Sequence, residues 1–293
     1  MGRGQEGALI MKNLIVRAIT GVFFVAAIVV SFLNPMAMVF LFAIVTGLTI
    51  WEFTGLVNDI PGVTVNRFIN TVAGVYFFLA MAGYVSGYTA TSALFVPYLL
   101  TIIYLFISEL YMRAEDPVHN WAYSMLSQMY IALPFSTINA LAFVQRGDGT
   151  VSFVSLLPLS IFIFLWVSDT GAYCCGSLLG KHKLFPRVSP GKSWEGSIGG
   201  GLFVLIAAAV VWYLTGGNGE GSILSLPAWL GLGLVVVVFG TWGDLVESLF
   251  KRHLGIKDSG NILPGHGGML DRFDSSLMAF PAALVYIYSI TLL

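Results

Sequence analysis

The feature that most limits what this chain can fold into is a succession of long apolar runs. A helix needs roughly 20 apolar residues to cross the hydrocarbon core of a bilayer, within a working range of about 17 to 25. Nine stretches meet that requirement, at about 16–33, 36–56, 68–86, 92–111, 122–144, 151–168, 197–215, 227–247 and 275–293. The sequence therefore predicts an all-α, polytopic integral membrane protein with about nine transmembrane helices and cytoplasmic polar loops. Composition agrees: 57% of the 293 residues are hydrophobic and 10% are charged, against roughly 25% charged in an ordinary soluble domain. The turn at Asn34-Pro35 is so short that the first two spans form a helical hairpin. The third span is the weakest, rich in Gly and Thr. Pro97, Pro134 and Pro158 fall in or near spans, where a kink is tolerated if neighbours satisfy the freed carbonyl.

The few charges set the orientation. With nine spans, the N-terminus and the loops near 57–67, 112–121, 169–196 and 248–274 share one side. Every one of the 14 lysines and arginines except Arg146 falls there. Cytoplasmic loops carry such an excess, so this side is cytoplasmic and the C-terminus lies outside. A net charge of −1 gives no bulk electrostatic case for nucleic acid. The opening "MGRGQEGALI" lacks the form of a signal peptide, and Met11 before "KNLIVRAITG" resembles a second start. The chain reads as a leader over 1–15, N-terminal helices over 16–111, middle helices over 112–168 and a C-terminal catalytic region over 169–293. Cys174 and Cys175 are adjacent, without a Cys or His partner at metal spacing, and read as reduced small apolar residues.

Chemistry concentrates in the loops 169–196 and 248–274. Asp244 and Glu247 lie three residues apart near the inner end of the eighth span, and Asp271 and Asp274 repeat that spacing at the start of the ninth. Residues three apart share a helical face. Two helix ends at one membrane face then present three or four carboxylates to one point, which repel unless a cation sits between them. Oxygen ligands favour Mg²⁺ or Ca²⁺, and phosphate nearby favours Mg²⁺. The plainer alternative makes these acids helix caps and ion-pair partners of Lys251, Arg252 and Arg272.

Between the carboxylates runs "LPGHGGML", whose Pro264, Gly265, Gly267 and Gly268 allow a tight backbone. A loop of this kind entering a helix exposes N–H groups to an anion. His266 is a donor for a phosphate or leaving group, or a plain loop histidine. Lys251, Arg252 and Lys257 are phosphate clamps or snorkelling surface residues. In the other loop, Asp169 follows the sixth span directly and Thr170-Gly171 suits a helix break. Gly191-Lys192-Ser193 resembles the tail of a P-loop, but that pattern needs glycine five residues before Gly191, where Pro186 stands. Ser189, Lys192 and Ser193 still offer a cation and hydroxyls to a phosphate. Lys181, His182 and Lys183 suit anionic headgroups. The glycines of "GSIGGG" permit close helix packing or substrate approach. Glu52 and Glu109 read as buried polar partners between helices.

The segment Ser248 to Asp274, 27 residues long, resembles the signature of the phosphatidate cytidylyltransferase (CDP-diacylglycerol synthase) family. "SDTGAY", "GKHKL", "SPGKSWEG" and "GDLVES" are similar to family segments in the same order, so the resemblance covers Ser168 to Ser275. The N-terminal half agrees mainly in hydrophobicity. The paired cysteines and the leader are not family features. The resemblance implies that CTP and phosphatidic acid give CDP-diacylglycerol and pyrophosphate with Mg²⁺, in phospholipid biosynthesis at the inner or plasma membrane. It implies Asp244, Asp271 and Asp274 as metal ligands. Lys192, Lys251, Arg252, Lys257, Arg272 and Ser189 would contact phosphates, and His266, Gly267 and Gly268 would shape the nucleotide or pyrophosphate pocket. It also implies a homodimer. Three rivals differ in sequence or product. A CDP-alcohol phosphotransferase needs an Asp-Gly…Ala-Arg pattern that is absent. A transporter predicts mid-membrane acids and an internal repeat. A dolichol-kinase-like enzyme would release CDP.

Overall fold

In the computed structural model the described residues are 3–217, 223–262, 265 and 267–291, with side chains from Arg17 onward. Helix α1 (Arg3–Ser31) and helix α2 (Pro35–Val57) form the expected hairpin. Asn34 caps α2, its Oδ1 accepting from the N–H of Met36 at 2.9 Å and Ala37 at 3.3 Å. Pro35 occupies the first helical position, where a missing N–H costs nothing. Next come α3 (Arg67–Val85), α4 (Val96–Met112) after a 3₁₀ turn at Ser92–Phe95, and α5 (Pro117–Ser127).

The expected span at 122–144 is helical as far as Ala142, with one interruption of its α ladder. A π turn at Gln128–Ala132 separates α5 from α6 (Leu133–Ala142). Pro134 has no N–H to offer the preceding turn, so the helical ladder shifts there. Strands β1 (Phe143–Gln145) and β2 (Val151–Phe153) then pair antiparallel. Gly149, with φ 83°, turns the chain between them. Asp148 accepts from the Thr150 hydroxyl and N–H, and these bonds hold its carboxyl below the usual carboxylate range.

Helix α7 (Leu156–Leu179) runs through Asp169 without the break expected at Thr170-Gly171. The Thr170 hydroxyl donates to the carbonyl of Trp166 at 2.8 Å, within its own helix. Gly171 packs instead of bending: a Cβ there would lie 3.1 Å from the Cα of Gly200. Strands β3 (Lys183–Phe185) and β4 (Ser189–Ser193) form a second antiparallel hairpin. Ser193 caps α8 (Trp194–Leu214), accepting from the N–H of Gly196 at 3.2 Å. The chain ends with α9 (Leu226–His253) and α10 (Met269–Thr291).

Among the described residues seven helical segments are long and apolar enough to cross a membrane: α2, α3, Ser92–Met112, α7, α8, α9 and α10. The described side chains of α1, Arg17–Ser31, form a further apolar stretch. The all-α membrane architecture holds; the exact count of nine is not confirmed, since a π turn interrupts the fifth run and the side chains of α1 are described only from Arg17 onward. The chain forms two units. Unit 1 comprises Met1–Leu133 with Ile256–Phe273, and unit 2 comprises Pro134–Gly255 with Asp274–Leu293. Unit 1 buries Phe42, Ile50, Phe53 and Phe78. It also buries a polar knot in which Asn70 donates to Ser124 and accepts from Ser127. Unit 2 buries Phe164 edge-on to Trp229, and Phe162 edge-on to Phe280. Gly171, Gly199 and Gly200 let α7 and α8 meet backbone to backbone, so these glycines serve packing.

Candidate active site

Unit 2 assembles four charged residues from four elements. The hairpin β3–β4 carries Lys192 to α9, where its Nζ lies 2.7 Å from Asp244 Oδ2. The other oxygen of Asp244 accepts from the Ser248 hydroxyl at 3.1 Å, one turn along the same helix. Asp274 lies on α10 within electrostatic reach of Asp244, Asp169 and Lys192. Gly243 permits that approach, since a Cβ on it would stand 2.6 Å from the carbonyl of Asp274. A cavity of about 330 Å³ opens beside these residues, lined by Asp169, Lys192, Ser193, Ser197, Thr241 and Ser275 among others. The sequence reading singled out Asp244, Asp274 and Lys192. It placed Asp169 at a helix break instead of on a continuous helix facing the same cavity.

The donor set is all oxygen with one ammonium. Mg²⁺ is commonly held by one or two carboxylates together with substrate phosphates and water, and Asp244 with Asp274 matches that chemistry. Among the described residues no three Asp, Glu, His or Cys side chains form a closed metal cage.

The other half of the expected cluster is in unit 1. Asp271 Oδ2 accepts from the N–H of Ser259 and of Gly268, both at 2.8 Å. Glu52 accepts from Met269 N–H at 2.9 Å, Leu270 N–H at 3.0 Å and the Ser259 hydroxyl at 2.5 Å. The N–H of Asp271 donates to the Ser259 hydroxyl. The N–H groups of Gly268, Met269, Leu270 and Asp271 are thus taken by the chain's own oxygens, whereas much of the loop read as an anion site lies outside the described residues. Gly267, with φ 82°, folds over the Asp271 carboxylate, and a side chain on Gly268 would collide with Glu52. Glu52 is a buried polar partner as expected, but its partner is a helix end. Nothing local to Glu52 signals this.

The remaining cations divide. Lys251 pairs with the fully buried Glu247 at 2.7 Å, the ion-pair alternative for that acid. Arg252 is exposed, and its Nε donates to the carbonyl of Val188 at 3.4 Å. Lys257 and Arg272 are exposed in unit 1, and Ser189 is half-buried at the start of β4. His266 lies outside the described residues, with Leu263 and Pro264. Glu195 braces the hairpin, accepting from the N–H groups of Lys181 and His182 at 3.2 Å. Glu109 accepts from the buried Asn120 at 2.9 Å. Both cysteines are free thiols.

These helices and this charged cavity define a polytopic membrane protein with an acidic, lysine-bearing site in its C-terminal half. A model of the cytidylyltransferase family matches residues 13–290, and the chain belongs to that family. It is 44% identical over 162 residues to the phosphatidate cytidylyltransferase of Staphylococcus haemolyticus, covering 55% of this chain and 56% of that one. The Staphylococcus aureus (strain COL) phosphatidate cytidylyltransferase is 43% identical over 160 residues, with 55% and 56% covered. The Staphylococcus saprophyticus protein of the same name is 41% identical over 162 residues, again with 55% and 56% covered. The chain spans about half the length of the curated relatives it matches.

Proposed function

We propose that this protein transfers CMP from CTP to phosphatidic acid, releasing pyrophosphate and forming CDP-diacylglycerol for membrane phospholipid synthesis. The observation that carries the reading is the Lys192–Asp244 pair at 2.7 Å, with Asp274 in electrostatic reach, beside a cavity that Lys192 and Asp169 line in a membrane-spanning chain. Family membership and relatives named for this activity support it. A phosphate oxygen of phosphatidate attacks the α-phosphorus of CTP. The bond from that phosphorus to the bridging oxygen breaks, and pyrophosphate leaves with the electron pair. The nucleophile is already an anion, so no strong protein base is required. The protein's task is to hold two polyanions together and stabilise the leaving group. Lys192 meets the phosphate charge, and Ser193 and Ser197 give hydroxyls to the same cavity. Asp244 and Asp274 would hold Mg²⁺, which when bound neutralises charge on phosphoryl oxygens. Asp271 and Glu52 act as positioning residues for the start of α10. The distribution of basic residues supports a cytoplasm-facing site in an inner or plasma membrane and an external C-terminus. The homodimer rests on the family resemblance.

The test is pyrophosphate release by the purified chain in detergent with CTP, phosphatidic acid and Mg²⁺. Release that needs all three and is lost in Asp244→Asn is expected. CDP in place of pyrophosphate, or no product from folded protein, would overturn the reading.

A further inference from the structure

A second cavity lies in unit 1. It is a groove of about 720 Å³ between α2 and α3, walled by Phe40, Ile44, Leu48 and Trp51 on one side and Val75 and Leu79 on the other. Its α2 wall runs from Met36 to Trp51, about 22 Å at a rise of 1.5 Å per residue. That exceeds one leaflet's half of a core roughly 30 Å thick. Gly47 keeps the floor open.

The groove is apolar along its length and cationic at one end. The Arg67 guanidinium stacks over the Trp51 ring at 4.1 Å, and its Nη2 donates to the Trp51 carbonyl at 2.8 Å. Its Nε has no hydrogen-bond partner. Among the described residues no carboxylate lies within ion-pair distance of it. Along α3, Arg67, Thr71, Val75 and Leu79 are spaced by four residues and share one face. Thr71 also lines the groove, and its hydroxyl is buried without a partner. A lone hydroxyl in an apolar wall is costly. The stripe therefore runs from cation to hydroxyl to alkyl groups, the order of phosphate, ester and acyl chain in a glycerophospholipid.

We infer that the α2–α3 groove is a site for an anionic membrane phospholipid, with its phosphate at Arg67, its ester oxygens near Thr71 and one acyl chain along Val75 and Leu79. A helix from a second copy would fill the apolar groove but leave the Arg67 charge unmatched, which favours the lipid.

The experiment is native mass spectrometry of the full chain released from micelles with equimolar dioleoyl phosphatidylglycerol and dioleoyl phosphatidylcholine. Neither probe has the terminal phosphate that the proposed reaction consumes, so the outcome is independent of that reading. Wild type should retain one phosphatidylglycerol about fivefold over phosphatidylcholine, the ratio for one interfacial cation worth about 1 kcal/mol. Arg67→Gln should bring the ratio close to one, Arg67→Lys should keep most of it, and Asp244→Asn should leave it unchanged. Ala43→Phe, which fills the groove, should exclude both lipids, and thermal unfolding verifies that each variant is folded. Equal retention by wild type, or an unchanged ratio in folded Arg67→Gln, overturns the inference. So does disulfide cross-linking of two Ala43→Cys chains in place of lipid retention.

Discussion

Glu52→Ala should destabilise unit 1 by an amount that follows from counting donors. Glu52 is 8% exposed and accepts from two backbone N–H groups of α10 and the Ser259 hydroxyl. Truncation to Ala leaves three buried donors without an acceptor. Each unsatisfied buried donor costs roughly 1–3 kcal/mol, so even the low end gives about 3 kcal/mol. Removing a carboxylate from a helix N-terminus adds roughly 0.3–1 kcal/mol more. Glu52→Gln keeps one acceptor oxygen in place and loses the charge, so it should cost about half as much. Chemical unfolding of the purified chain in mixed micelles measures both, with Glu109→Ala as the comparison. Glu109 accepts one bond, from Asn120, and its loss should cost about 1 kcal/mol. If Glu52→Ala unfolds within about 0.5 kcal/mol of wild type, the cap carries no energy and the account of this helix start is wrong.

Three further outcomes follow from the packing and charges. Lys192→Met and Asp244→Asn should each lower kcat for pyrophosphate release about 100-fold or more. The double variant should be little worse than either, because the pair acts as one unit; steady-state kinetics with CTP varied decides it. Lys251→Met removes the cation beside the fully buried Glu247 and should cost about 3–5 kcal/mol, whereas Lys251→Met with Glu247→Leu should recover most of that, read by the same unfolding assay. Gly200→Leu sets a Cβ about 2.7 Å from the Ser168 carbonyl and should abolish monodisperse protein on size-exclusion chromatography. Gly147→Ala, whose Cβ meets nothing within 4 Å, should elute as wild type.

How far the sequence could be read follows from which forces are local. The spans at α2, α3, α8 and α9 were legible because each is a long apolar run, and Asn34 with Pro35 marks a helix start by its own chemistry. The π turn in the fifth run was not legible, because Pro134 is tolerated in membrane helices and does not itself mark a shift of the ladder. Thr170-Gly171 carries the composition of a break, yet α8 supplies a neighbour against which Gly171 must be small. In the site, the i, i+3 spacing of Asp271 and Asp274 suggested one shared role, and it could not report the structural bonds that Asp271 also makes. Asp271 folds back on Gly268 N–H three residues earlier, the returning half of a capping box. Gly268 has no side chain to supply the forward half, so Glu52 on α2 supplies it, and no local pattern can report an acceptor from so far along the chain. The consequence reaches the chemistry. The N–H groups of Gly268, Met269, Leu270 and Asp271 are already bonded within the chain, so these four are not available to a substrate phosphate. The proposed reaction then leans on positive charge from side chains and a bound cation, and Lys192, which pairs with Asp244 and lines the cavity, is the first residue whose loss should slow pyrophosphate release.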